Sequence, residues 1–133
     1  MNQTVGRNDA EMDVIRAIAG TEEDAPLVML NLNRYTPAAN YPSGALYRRY
    51  MEALDALLPR VGAKILWRST VHGQAVGAQP IDEILAVWYP SHAAFLGMPD
   101  QPGAQENYRL RAEAVDYAVI HRCDGSKAPL DGT

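Results

Sequence analysis

The sequence contains a single cysteine, Cys123, in 133 residues. One thiol cannot close an internal disulfide, and it excludes zinc sites built on two or more thiolates. Positive charge is also scarce: 12 lysines and arginines face 16 acidic residues, for a net charge of −4. That balance argues against a general nucleic-acid binder, which needs a basic surface. No run reaches the roughly 18 apolar residues that a membrane span requires. The opening stretch, Met1 to Asn8, lacks the apolar core of a signal peptide. The Asn2-Gln3-Thr4 triplet therefore reads as a chance match to a glycosylation site, and a cytoplasmic location is expected. His72, His92 and His121 form neither an HExxH motif nor an i,i+4 pair. GxGxxG, P-loop, GxSxG and CxxC motifs are missing too. No metal or other cofactor is expected, and neither nucleic acid nor membrane is expected as a partner.

What is present reads as one globular domain over residues 1–133, with 47% hydrophobic residues. Asn8 and Glu11 can cap a first helix over about 8–20, closed by Gly20. A ferredoxin-like core spans about 26–122, and a loose tail is expected from 123 to 133. Leu27 to Arg34 reads as a strand, with Leu30 and Leu32 on one face and Asn31 and Asn33 on the other. A helix follows, with Leu46, Tyr50, Leu54, Leu57 and Leu58 as its apolar face and a possible Arg48–Glu52 pair. Lys64–Val71 and Glu83–Tyr89 read as strands, the second apolar enough to be central. Ser91 can cap a short helix through Phe95. A helix over 104–115 and a strand over 117–121 complete the order β-α-β-β-α-β. That order is the ferredoxin-like α+β arrangement, an antiparallel sheet with helices on one face. The other face would be open in a monomer, so a homodimer packed sheet to sheet is expected, with a cavity at the seam.

Four stretches in register resemble a known family. They are Leu27-Val28-Met29-Leu30-Asn31-Leu32-Asn33-Arg34-Tyr35, the Tyr47…Tyr50-Met51 helix, Val87-Trp88-Tyr89-Pro90-Ser91-His92-Ala93-Ala94-Phe95-Leu96, and Tyr108…Arg111-Ala112-Glu113-Ala114. Together they resemble the domain-of-unknown-function family 1330 of the dimeric α+β barrel superfamily. The resemblance implies the same ferredoxin-like dimer. It implies little chemistry, because related branches include cofactor-independent monooxygenases, muconolactone-type isomerases, polyketide cyclases and haem-binding enzymes. Two positions depart from the family pattern. Leu110 stands where a histidine often precedes the arginine, and Ala63 where a second glycine often begins the strand. The first departure argues against a scheme that uses that histidine as a base.

Candidate site residues follow from chemistry. Asn31 is a mid-strand amide expected to face the dimer seam, where it either bonds a neighbouring strand or touches a ligand. Arg34, Arg68 and Arg111 could clamp a carboxylate or enolate. Met29, Trp67 and Trp88 could wall an apolar pocket, and Tyr35 and Tyr108 could bond a ligand. His72 beside a flexible turn is a candidate base, whereas His92 is expected to face solvent and His121 to be structural. Glu22-Glu23-Asp24 reads as a solvated acidic run. The expected protein binds a small apolar carbonyl, phenolic or carboxylate compound. If it is an enzyme, it is of a cofactor-independent isomerase, cyclase or monooxygenase type, with Asn31, Arg34, His72 and Arg111 at its centre. The alternative is a non-catalytic ligand-binding or assembly module.

Overall fold

Asn8 accepts a hydrogen bond from the Glu11 amide at 3.2 Å and so starts the first helix, α1 (Asp9–Ile18). Gly20, at φ +75°, turns the chain out of it. The computed structural model describes residues 6–126; the opening triplet and most of the expected tail lie outside them. After α1 come β1 (Leu27–Tyr35), α2 (Ala45–Leu57), β2 (Lys64–Thr70), β3 (Glu83–Tyr89), α3 (His92–Leu96), α4 (Ala104–Ala114) and β4 (Val115–Asp124). The four strands form one antiparallel sheet in the order β2-β3-β1-β4. This is the ferredoxin-like α+β architecture, with β1 and β3 central, β3 as its apolar sequence predicts.

Register assigns each strand residue to a face. Leu27, Met29 and Tyr35 of β1 and Leu85, Val87 and Tyr89 of β3 are buried in the core with residues of α1, α2 and α4. Alternation then carries Asn31 and Asn33 to that same helix-covered side, with Asn31 opposite Leu85 and Asn33 opposite Glu83. The other side carries Val28, Leu30 and Leu32, with Ala86, Trp88 and Ile84 beside them. Trp67 on β2 pairs with Ala86 on this open side and is 39% exposed. The expected alternation along β1 therefore holds, but its orientation is the reverse of the expected one: Asn31 points towards the helices and not into an open seam.

Three further details differ from the sequence reading. The buried stripe of α2 is Tyr47, Tyr50, Met51 and Leu57, with Leu46 and Leu54 only partly buried at its flank. Arg48 turns back to donate to the Ser43 carbonyl at 2.6 and 3.0 Å instead of reaching Glu52. β4 runs on through Cys123 and Asp124, which pair with Val28 and Leu27, so the chain is ordered past the expected start of the tail. Gly125 continues it, donating to the Pro26 carbonyl at 3.1 Å. A Cβ there would come within 2.6 to 2.8 Å of the Leu27 backbone, so glycine is required by space.

Candidate functional site

A charged residue at the first position of a central strand is the starting point. Glu83 is 3% exposed on the helix-covered side of β3. Burying a carboxylate is costly unless its oxygens are bonded. Here Tyr35 of β1 donates to Oε1 at 2.6 Å and Tyr47 of α2 donates to Oε2 at 2.8 Å. Both phenols give their hydrogens to it, so Glu83 is the acceptor of the trio. Burial first, and then the Glu83 charge, push the Tyr35 phenol far above its ordinary range. Burial and the Glu83 hydrogen bond do the same for Tyr47.

Asn33, 2% exposed, donates from Nδ2 to the Tyr35 oxygen at 3.4 Å. The orientation is forced, because the Tyr35 hydrogen is committed to Glu83 and its oxygen can only accept. The Asn33 amide oxygen is left buried with no hydrogen-bond partner among the described residues. A buried orphan acceptor costs about 1–3 kcal/mol. On α4, Asn107 Nδ2 is the other such side-chain atom among the described residues.

Tyr41 closes the cluster from outside. Its ring stacks on Tyr35 (5.0 Å, 21°) and meets Tyr47 edge-on (4.8 Å, 86°). Its hydroxyl lies 2.6 Å from Thr70 Oγ1 at the end of β2. A depression of about 400 Å³ opens here, lined by Tyr35, Thr36, Pro37, Asn40, Tyr41 and Asp82. Asp82 fixes its floor by accepting from the Tyr35 amide at 2.9 Å. A larger depression of about 700 Å³, between Pro99 and Arg109, holds none of this cluster.

The residues expected from sequence do not converge. Asn31 Nδ2 bonds the Met29 carbonyl at 3.0 Å, and Met29 itself is core. Trp67 and Trp88 lie on the open side, across the sheet from Met29 and Asn31, so these four cannot wall one pocket. Lys64 sits over the Trp88 ring, and Trp88 Nε1 donates to Gly125 O at 3.1 Å. Arg34 pairs with Asp116 at 2.8 Å and lies over Tyr117, also on the open side. Arg68 reaches Met51 Sδ at 3.2 Å on the helix side. Arg111 stands beside the Tyr50 hydroxyl, whose phenol burial nevertheless pushes up. The three arginines therefore form no clamp. His72 is exposed in the irregular segment after β2, Tyr108 is 39% exposed on α4, and His121 is exposed on β4. Of the expected site residues, Tyr35 alone belongs to the buried trio, while Glu83, Tyr47, Asn33 and Tyr41 were not anticipated. Tyr47 had a signal in the sequence, three residues before Tyr50 on the helix face.

His92 is also corrected: it is 6% exposed. Its Nδ1 lies 3.0 Å from Asp24 Oδ1 and 3.1 Å from the Ala25 carbonyl, so Nδ1 carries the hydrogen. Nε2 then accepts from Arg122 Nη1 at 3.4 Å. Asp24 is no solvated acid. It accepts from the amides of Gly20, His92 and Ala93 at 2.9, 2.6 and 3.2 Å. Burial works against its charge, but these donors outweigh it and hold the carboxyl well below its usual range. The group ties the α1–β1 connector to α3 at the end of the sheet away from Glu83. Among the described residues no group of three or more histidine, cysteine, aspartate or glutamate side chains could hold a metal ion. No described helix is long and apolar enough to cross a membrane.

This architecture is that of a ferredoxin-like α+β protein. Among solved structures, the methylated RPA0582 protein superposes with a TM-score of 0.78 at 26% identity, covering 96% of this chain and 98% of that one. A second structure of RPA0582, a protein of unknown function from Rhodopseudomonas palustris, gives 0.75 at 27% identity over 92% and 97%. A DABB family protein with a ferredoxin-like fold from Mesorhizobium loti gives 0.56 at 11% identity over 74% and 94%. The ferredoxin-like α+β fold is therefore shared with these neighbours. No family model matches the sequence, and no curated protein matches it either.

Proposed function

We propose that this chain is a small-molecule-binding protein of the domain-of-unknown-function family 1330, with its site at the Tyr35–Glu83–Tyr47 trio. The observation that carries the reading is the depression that Tyr35 and Tyr41 line, with Tyr35 bonded both to buried Glu83 and to Asn33, whose amide oxygen has no donor among the described residues. Ligand sites combine apolar or aromatic walls with a few convergent polar groups, and this cluster has that composition. The compound class is a small, largely apolar carbonyl, phenolic or carboxylate molecule. Binding is favoured over catalysis because Asn31, Arg34, His72 and Arg111 are spread over both sides of the sheet and the loop after β2.

A homodimer completes the proposal. Leu30, Leu32, Ile84, Trp67 and Trp88 lie on the side without helices, a surface that a second copy's equivalent face would cover.

Native mass spectrometry of protein purified from its own cells, before and after denaturation, tests both parts. A dimer mass with a releasable small molecule is the expected result. A monomer at micromolar concentration refutes the dimer. A protein that carries no molecule and perturbs no tyrosine signal with any member of a fragment set refutes the site.

A further inference from the structure

We infer that His92 and Arg122 form a proton-sensitive clasp on α1: a proton taken up at His92 Nε2 expels Arg122 and frees α1 from β4. The inference is independent of the site at Tyr35, Glu83 and Tyr47, which lies at the other end of the sheet.

Four polar groups from four parts of the chain stand in a row. Asp24 belongs to the connector before β1, His92 to α3, Arg122 to β4 and Glu11 to α1. Nδ1 of His92 lies 3.0 Å from Asp24 Oδ1 and 3.1 Å from the Ala25 carbonyl, so the ring hydrogen is on that side. Nε2 is left with a lone pair, which Arg122 Nη1 meets at 3.4 Å. The same guanidinium grips Glu11 through Nε at 2.7 Å and Nη2 at 3.2 Å. Arg122 thus tethers α1 while it rests on an unprotonated ring. The other ion pair of α1, Arg16 with Asp13, stays within the helix. α3 brings no charged side chain besides His92, and His121 and Cys123 of β4 alternate to the open side.

Protonation reverses one bond. A guanidinium has five donors and no acceptor, so a hydrogen on Nε2 meets only hydrogens and a like charge. One neighbour must yield. His92 and Asp24 have side chains only 7% and 10% exposed, and the carboxylate favours a charged ring. Arg122, 27% exposed beside Glu11 at 36%, borders solvent and is the group that leaves.

The two acids do not supply the switch. The Arg122 hydrogen bond holds the Glu11 carboxyl below its ordinary range. Burial opposes the Asp24 charge, but its amide donors and His92 hold that carboxyl well below its own. Both stay ionised where histidines change charge, so His92 is the titrating member of the row. What it releases is lightly held. α1 buries Ile15 fully, packs Met12 partly against the core and leans on α3. The Gly20 amide, bonded to Asp24 at 2.9 Å, keeps the C-terminal end of α1 anchored as the rest opens.

Hydrogen exchange read by NMR across a pH titration tests the clasp, with protection corrected for the intrinsic pH dependence of exchange. Protection of the α1 amides should fall about tenfold, the worth of one such bond, at the same midpoint as the His92 ring signals. The Arg122 Nε hydrogen should lose its protection there too, while the β3 amides do not change. His92→Gln keeps an acceptor for Arg122 but takes no proton, so its α1 protection should stay flat over the same range. An α1 that keeps its protection while His92 titrates overturns the inference. So does a step at another midpoint, a step retained in His92→Gln, or a His92 that takes no proton before the whole chain unfolds. The two wild-type midpoints decide the matter even if His92→Gln does not fold.

Discussion

The Tyr47 hydroxyl lies 2.8 Å from Oε2 of Glu83 and thereby joins α2 to the first residue of a central strand. With Tyr35 on the other oxygen, the carboxylate becomes a junction of β1, β3 and α2. Its replacement has two separable effects.

Glu83→Gln removes the charge but leaves an amide whose nitrogen cannot accept from a phenol. One of the two phenols then loses its acceptor while still buried. A stability loss of about 1–3 kcal/mol is expected, read from urea unfolding. An unchanged midpoint would show that the trio does not exist in solution.

Alkaline pH should unfold the protein cooperatively. Tyr35, Tyr47, Tyr50 and Tyr89 all have phenols raised above their ordinary value, burial being the first cause in each case. A group whose folded-state pKa is raised contributes stability that is full below its unfolded value, about 10, and is lost as the pH climbs beyond it. Absorbance at 295 nm should therefore show these four phenols ionising only as the circular dichroism collapses. A single smooth titration with the fold intact would contradict the burial described.

Acid pH acts through Asp24. Its folded-state pKa lies below the unfolded value of about 3.9, so its contribution is complete above that pH and disappears as the pH falls below it. Asp24→Asn should be less stable than wild type at pH 7, by about 1–3 kcal/mol for lost charge-assisted bonds. It should also lose less stability than wild type between pH 5 and pH 3. Parallel pH profiles for the two proteins would remove Asp24 as the cause.

Assembly and site should separate by mutation. Trp67→Glu places a charge on the open side of the sheet, away from Glu83. Light scattering should report a shift from dimer to monomer with the Tyr35 and Tyr47 signals unchanged. A dimer that survives this change uses another surface.

Much of the fold was legible because period-two and near-four periodicities are strong in this sequence. The Leu27–Arg34 alternation gave the strand and its two faces. What it could not give was which face the helices cover. Leu30 and Leu32 are the apolar pair, so burial reasoning sends them inward, yet the side bearing Asn31 and Asn33 is the covered one. Polar residues there are tolerated because Met29, Leu85 and Val87 supply the apolar contacts around them. Glu83 was hidden for a related reason. An acid at the start of a strand usually marks the edge of a turn, and only the tertiary approach of Tyr35 and Tyr47 turns it into an interior acceptor. Asp24 and His92 were misjudged alike, since their partners lie 68 residues apart in sequence.

The sheet is a single layer, and its two sides face different company. Consecutive positions along β1 therefore answer to separate demands. Leu32 answers to the open side, Asn33 to the packing of the interior. Across related sequences, substitutions should covary between every second position, Asn31 with Asn33 and Leu30 with Leu32, while neighbours in sequence drift independently. Such a chain can vary one side of its sheet without varying the other.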